Sequence, residues 1–161
     1  MPTFTKLHPI RTKPYTGRIG SRNAIPDWYG IPENYKDRLG FVYLIVCRPT
    51  NRFYIGKKLF WSATKRVGKK IRQESNWREY FGSSKTVDAE IKQYGKQAFS
   101  RYIISCWDSK SELSLCELMY QLKHITNENC MNGIINVRLY IRPEMKLVRA
   151  DVELESLLCP F

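Results

Sequence analysis

The sequence is poor in residues that bind transition metals. It holds only two histidines, His8 and His124, and its five cysteines are scattered without a CxxC pair. A structural zinc site needs clustered cysteine or histidine ligands, so none is expected. An odd number of dispersed cysteines also does not form a disulfide framework, and reduced, mostly buried thiols are predicted.

Long apolar runs are also absent. No stretch approaches the roughly 20 apolar residues that a membrane-spanning helix requires. The first residues, MPTFTKLHPIRTKPYTG, lack the apolar centre of a signal peptide. An intracellular, cytoplasmic protein with no membrane partner is therefore expected.

Acidic residues are few. The chain has 15 of them against 27 lysines and arginines, which gives a net charge of +12. This excess is larger than solubility requires, so it indicates a polyanionic partner. Nucleic acid is favoured over an acidic membrane surface because no basic amphipathic helix dominates. A merely basic surface is the alternative.

The length of 161 residues and the hydrophobic content of 43% favour one domain with its own core. Residues 1–38 are rich in proline and basic residues and are predicted to form an extended arm. That arm either lies along a nucleic-acid backbone, forms a loose tail, or packs on the domain through Trp28 and Tyr29. Residues 39–141 are predicted to form the domain, and residues 142–161 a helical tail.

One stretch, GFVYLIVCRPTNRFYIGKK at residues 40–58, predicts a β-hairpin. Residues 41–47 are a continuous apolar run, as in a strand buried on both faces. Residues 48–51 contain proline, threonine and asparagine, which favour a turn. A second short strand then covers residues 52–55 and stops at Gly56.

Two tyrosines and two lysines hold fixed positions in this hairpin. Side chains alternate between the faces of a strand, so Tyr43 and Tyr54 are expected on one face with converging hydroxyls. Gly56 permits close approach of the backbone to a ligand. Lys57 and Lys58 follow where a phosphate would be met. The alternative is that these are ordinary strand tyrosines and edge lysines.

Helices and a further strand are predicted after the hairpin. Ser62 is an acceptable N-cap for a basic helix that continues to Arg72, although Gly68 weakens it. A second helix runs from Ser83 or Ser84 to Tyr94, and residues 99–106 form a strand. Residues 126–136 are an asparagine-rich loop, and residues 137–141 are predicted as another strand. The basic helix would carry the densest cationic patch of the chain, formed by Lys65, Arg66, Lys69, Lys70 and Arg72.

A third helix is predicted from Ser109 to about Ile125, since Ser109 and Glu112 form a capping box. Glu117 is expected at the border of its apolar stripe. A carboxylate there suits a hard cation such as Mg²⁺, which takes oxygen ligands. A solvated glutamate paired with a basic residue is the alternative. The residues predicted to face the core are Leu115, Leu118, Met119, Leu122 and Ile125.

Gly40-Phe41-Val42-Tyr43, ten intervening residues and Tyr54-Ile55-Gly56 resemble the signature of the GIY-YIG nuclease superfamily. The resemblance implies an α+β fold with a small three-stranded antiparallel β-sheet flanked by helices. It also implies a phosphodiester hydrolase that acts on DNA. The compact chain with basic arms is similar to phage or mobile-element endonucleases of this family.

The resemblance further implies roles for individual residues. Glu117 would hold a single Mg²⁺ or Mn²⁺ ion, and Asn132 would steady the site. Tyr43 would position or deprotonate the attacking water with the help of Tyr54 and Lys57, provided that nearby cations lower its pKa. Arg66 would offset the charge of the reacting phosphate, and Arg72, Arg78 and Tyr80 are alternative catalytic residues. The residues expected to contact DNA are Lys58, Lys65, Lys69 and Lys70.

The function predicted from the sequence is a divalent-metal-dependent endonuclease that acts on double-stranded DNA. Weak sequence specificity, or specificity gained through a homodimer, is expected because little chain is left for a separate DNA-reading region. The alternative is a noncatalytic basic module that binds nucleic acid, including RNA, through exposed aromatic residues.

Overall fold

The computed structural model describes residues 25–66, 69–133 and 135, and it does not describe the side chains of residues 64–71. Most of the predicted arm, the predicted strand at residues 137–141 and the predicted helical tail lie outside the described residues. Within those residues, no helix combines the length and the apolar character needed to cross a membrane.

The described residues form an α+β fold, which confirms the predicted class. Helix α1 spans Lys85–Tyr94 and helix α2 spans Lys110–His124. The strands are β1 Trp28–Tyr29, β2 Gly40–Cys47, β3 Arg52–Leu59, β4 Trp61–Arg66, β5 Lys69–Glu74 and β6 Phe99–Trp107.

The central sheet has the order β1-β6-β2-β3. Strand β2 is antiparallel to both of its neighbours, β6 and β3, as predicted. The three-stranded prediction is incomplete, however, because β1 adds a parallel strand at the outer side of β6. Strand β1 belongs to the predicted arm, and its Trp28 is buried while its Tyr29 stacks on Tyr102. The described part of the arm therefore packs on the domain.

The β2–β3 hairpin forms as predicted. Every residue of β2 is buried, because the strand lies between core layers on both faces of the sheet. Asn51 adopts a positive φ of 53° in the connecting turn, a conformation that asparagine tolerates. The second strand does not stop at Gly56. It continues to Leu59, which pairs with Gly40, because the ladder with β2 is unbroken.

The basic segment after the hairpin is a two-stranded ribbon, β4–β5, and the predicted helix is wrong. Its register runs from the pair Trp61–Glu74 to the pair Arg66–Lys69. Thr64, Val67 and Ile71 are β-branched and Gly68 is a glycine, and all four residue types lower helix propensity. The basic residues recur at spacings compatible with either structure, so charge alone did not distinguish them.

Two core layers cover the central sheet. On one face, Phe41, Tyr43 and Ile45 pack with Trp28 and Trp77, and α1 adds Val87 to this layer. On the other face, Val42, Leu44 and Val46 pack against Leu113, Cys116 and Tyr120 of α2. The alternation of β2 thus directs successive side chains to opposite helices.

Helix α2 begins with the predicted capping box. The Glu112 amide donates to Ser109 Oγ over 3.2 Å, and Ser109 Oγ donates to Glu112 Oε2 over 2.7 Å. The predicted apolar face is wrong, since Leu122 is 56% exposed and Ile125 is 44% exposed. The side of α2 that packs on the sheet includes two polar residues, Gln121 and His124, because the sheet offers them partners. The residues of α2 that are buried are Leu113, Cys116, Tyr120, Gln121 and His124.

Candidate active site

Tyr43 and Gly56 are directly opposite each other in the β2–β3 ladder. A Cβ atom built on Gly56 would lie 2.4 Å from Tyr43 Oη and 2.6 Å from its Cζ. The phenol therefore crosses the space that any side chain at position 56 would occupy. Tyr54 lies on the same face, as predicted, with its ring centroid 6.2 Å from that of Tyr43.

A third phenol joins this pair. The ring of Tyr80 meets the Tyr43 ring edge-on, with 6.0 Å between the two ring centroids. Lys58 Nζ lies 4.1 Å from the centre of the Tyr80 ring and donates to Asn76 Oδ1 over 2.8 Å. Tyr43, Tyr54 and Tyr80 form a cluster, here called the phenol cluster, in which Tyr43 is only 1% exposed.

Burial in this cluster keeps the Tyr43 phenol neutral. Loss of solvation raises the pKa of Tyr43 well above 10, and its neighbours Tyr80, Tyr54 and Glu117 raise it further. The pKa of Tyr54 is also raised, first by burial and then by the negative charge of Glu117. Among the described residues, no lysine or arginine lowers the pKa of Tyr43, and the effect of a bound cation on it stays a prediction.

Glu117 projects from α2 toward the same end of β3. Its side chain is 13% exposed, and Oε2 lies 2.8 Å from Lys57 Nζ. The Lys57 ammonium also donates to Ser114 Oγ over 3.0 Å. Glu117 is thus paired with a basic residue, as the alternative interpretation supposed, but it is not a solvated surface glutamate.

The phenols and the carboxylate approach from opposite faces of the sheet. Both groups lie beside neighbouring residues of β3, the outer strand, because Tyr43 and Tyr54 lie against Gly56 and Glu117 pairs with Lys57. Burial raises the pKa of both phenols most, and the negative charge of Glu117 raises each pKa further. Lys57 and Lys58, which alternate across the strand, place one ammonium on each side of this edge.

Asn132 is bound to the backbone of β3 just before Gly56. Its Oδ1 accepts from the Ile55 amide over 2.9 Å, and its Nδ2 donates to the Ile55 carbonyl over 2.7 Å. Gln121 Nε2 donates to the same carbonyl over 3.1 Å. These bonds are buried and fix the strand next to the phenol cluster, which is consistent with the supporting position expected for Asn132.

Replacing Asn132 with aspartate is expected to lower the free energy of unfolding by about 2–3 kcal/mol, because a carboxylate cannot donate to the Ile55 carbonyl and is buried. Urea denaturation at pH 7 measures this difference. Asn129→Asp is the matched control, since only the backbone of Asn129 contacts β3. Equal stability of the two variants would contradict the expectation.

The two alternative catalytic arginines, Arg72 and Arg78, contact residues outside the phenol cluster. Arg72 stacks on Trp61 at 4.2 Å and donates to the Lys36 carbonyl over 3.0 Å. Arg78 stacks on Trp77 at 4.3 Å and donates to the Tyr35 hydroxyl over 3.1 Å. The other predicted cations, Lys65, Arg66, Lys69 and Lys70, belong to the β4–β5 ribbon, and their side chains lie outside the described part of the structure.

Arg101 was not identified as a site residue from the sequence, although it supports the backbone next to the phenol cluster. It is 1% exposed and donates to the carbonyl oxygens of Arg78 over 2.8 Å, of Tyr80 over 3.0 Å, and of Pro26. Burial lowers its pKa to about 10. It thereby holds the backbone that carries Tyr80. A sequence signal existed, because Arg101 shares an alternating strand face with Phe99 and the buried Ile103.

Glu117 is the carboxylate of this site that could hold a cation. Among residues 25–66, 69–133 and 135, no three histidine, cysteine or acidic side chains are grouped to hold a metal. A hard cation such as Mg²⁺ is often bound by one or two carboxylates together with water and substrate phosphate. The donor set therefore fits a single-carboxylate site.

Comparison with known proteins gives one family. Residues 28–135, about two thirds of the chain, match the family described as "Putative endonuclease segE, GIY-YIG domain". No curated protein and no solved structure matches the chain. The match begins at β1 and extends beyond Asn132, so it contains the phenol cluster, Lys57 and Glu117. The chain belongs to the GIY-YIG endonuclease superfamily.

Proposed function

We propose that this protein hydrolyses phosphodiester bonds in double-stranded DNA, with Mg²⁺ or Mn²⁺ held by Glu117. The observation that carries the proposal is that Tyr43 and Tyr54 lie against Gly56 while Glu117 pairs with the next residue of β3, Lys57. A carboxylate, two phenols and an ammonium beside neighbouring residues of the outer strand are groups that a hydrolysis with one cation can use.

The phenols act as neutral hydrogen-bonding groups in this proposal. Tyr43 is buried with a raised pKa, so it orients the attacking water without carrying a negative charge. Tyr54 is half-buried and reaches the reacting phosphate from the same side. A cation bound at Glu117 would neutralise charge on the leaving oxygen.

Cationic side chains offset the charge of the phosphate. Lys57 stands 2.8 Å from Glu117 and is 35% exposed, so it is placed to contact a phosphate bound at that carboxylate. Arg66 is proposed to meet the substrate from the β4–β5 ribbon. We further propose a DNA-processing role of the phage or mobile-element kind, with weak specificity or specificity gained through a homodimer.

The proposal is tested by incubating the purified protein with Mg²⁺ and a panel of supercoiled, linear and branched DNA at low salt. Cleavage that stops when EDTA is added supports it. Intact DNA throughout the panel, with binding that is unaffected by Glu117→Gln, would instead support a noncatalytic nucleic-acid-binding module.

Tyr43→Phe is expected to slow cleavage by about 100-fold, because it removes the hydroxyl that orients the water. A neutral hydroxyl gives the same rate deficit at pH 7 and pH 9. If Tyr43 acted as a phenolate base, the wild-type rate would gain about tenfold per pH unit over the variant, as the phenolate fraction rises below its pKa. Rates over this pH range, with Tyr29→Phe at the opposite sheet edge as control, distinguish the two roles.

A further inference from the structure

The β4–β5 ribbon concentrates positive charge at its end furthest from Trp61. Lys65 pairs with Lys70, and Arg66 pairs with Lys69. Like charges directly opposite each other in an antiparallel ladder are destabilising. Consecutive pairs belong to opposite faces of a ribbon. By register, one basic pair is therefore assigned to each face at this end, and an anionic partner on both sides would offset the repulsion that such pairs imply.

The other end of the ribbon is fixed to the domain. Trp61 Nε1 donates to the Arg38 carbonyl over 2.9 Å, and Arg72 covers the Trp61 ring. Ser75 Oγ donates to the Leu59 carbonyl over 2.6 Å, which ties the end of the ribbon to β3. The ribbon is thus held in one direction at its base.

A groove of about 480 Å³ connects this base with the candidate active site. Ser62 of β4 lies on one wall, and Ser114 of α2 lies on the other. Three basic residues, Lys57, Lys58 and Lys110, belong to its lining. Lys110 is exposed at the first residue of α2, and Lys57 contacts Glu117. Positive charge therefore continues from the Glu117 carboxylate along the groove to the ribbon.

We propose that the ribbon lies in the major groove of a DNA duplex on one side of the scissile bond, while the lysine-lined groove holds the phosphate backbone between them. The major groove is about 12 Å wide and admits a two-stranded ribbon, with a phosphate wall on each side. Cations on both faces of the ribbon match those two walls. This inference depends on the proposed function in one respect: it assumes that the DNA is cleaved next to Glu117.

The length of the ribbon sets the reach of this contact. The five steps from Trp61 to Arg66 span about 17 Å at about 3.4 Å per residue. This distance corresponds to about five base pairs at about 3.4 Å each. The protein should therefore protect duplex DNA asymmetrically, with additional contacts about five base pairs to one side of the cleaved bond.

The test measures binding to a 30-base-pair duplex of mixed sequence in EDTA, so that it does not depend on catalysis. The variants Lys65→Ala/Lys70→Ala and Arg66→Ala/Lys69→Ala are each compared with Lys85→Ala/Lys92→Ala. The control pair removes the same charge from exposed positions on α1. Each ribbon variant should bind about tenfold more weakly, and its slope of log K against log salt should fall by about 1.8.

Binding by the ribbon variants that equals that of the α1 variant would overturn the proposal. Thermal denaturation without DNA provides the folding check, and the ribbon variants should melt no lower than wild type because opposed like charges are removed. Single-stranded DNA is the second probe. A loss of binding that is equal for single strands and duplex would overturn the major-groove assignment.

The assignment of the ribbon to the major groove is tested with a duplex whose thymines carry bulky C5 substituents. These substituents block the major groove. Wild type should bind this duplex about tenfold more weakly, and its advantage over the ribbon variants should disappear. Unchanged wild-type binding would overturn the assignment. Wild-type cleavage in Mg²⁺ separates this inference from the proposed function. Ribbon-dependent duplex binding by a wild-type protein that does not cut DNA would overturn only the proposed function, whereas cleavage without ribbon-dependent binding would overturn only this inference.

Discussion

Replacing Glu117 with glutamine is expected to lower the rate of DNA cleavage by at least about 1000-fold. Glutamine preserves the shape of the side chain and can still accept from Lys57, but it removes the negative charge that holds the cation. Electrostatic stabilisation by a bound cation contributes several kcal/mol to a phosphoryl-transfer transition state, and about 4 kcal/mol corresponds to this rate factor. Single-turnover cleavage of supercoiled DNA in Mg²⁺ measures the effect.

Glu112→Gln is the matched control on the same helix. Glu112 accepts from Ser109 in the capping box, and glutamine also suits that position, so cleavage should remain within about twofold of wild type. Two readouts separate a lost cation from a lost fold. Duplex binding in EDTA should stay within about threefold, and the paramagnetic signal of bound Mn²⁺ should disappear only in Glu117→Gln. Undiminished cleavage by Glu117→Gln would refute the assigned role.

Gly56→Ala is expected to abolish most activity through a purely steric effect. The added methyl would lie 2.4 Å from Tyr43 Oη, and the ladder between β2 and β3 fixes both backbones. The phenol must therefore leave its position, which is expected to slow cleavage by at least about 100-fold. Overpacking of this kind is also expected to lower the free energy of unfolding by about 1–3 kcal/mol.

Gly133→Ala is the control, since a Cβ atom there meets nothing within 4 Å. It should change neither cleavage nor stability measurably. Adding Tyr43→Phe to Gly56→Ala should not restore the rate, because the ring carbon Cζ would still lie 2.6 Å from the methyl. Near wild-type activity in Gly56→Ala would show that the phenol can move without consequence, against its proposed positioning role.

Local signals predicted the elements that build the site. The apolar run of β2, the turn at Asn51 and the capping box at Ser109 each depend on a few adjacent residues, and each forms as expected. The ribbon was missed because its basic residues fit helical spacing as well as a paired strand. In that segment, the β-branched residues and Gly68 were the better guide.

Contacts between distant parts of the chain were less predictable. The inward face of α2 includes Gln121, which was not expected in the core because its partner, the Ile55 carbonyl, lies 66 positions away. Asn132 and Ile55 are separated by 77 positions, so periodicity could not indicate their bonds. The resemblance supplied the importance of Asn132, whereas its physical reason required the structure.

The position of Trp28 has a consequence for building a minimal nuclease module. Its ring lies 5.3 Å from Phe41 and 5.6 Å from Tyr43, and its Nε1 donates to the Trp77 carbonyl. A fragment trimmed to the hairpin at Gly40 would lose this wall of the phenol cluster, together with the Pro26 carbonyl that Arg101 holds. A fusion that transplants the cutting unit onto another DNA-binding protein must therefore place its junction before Ile25.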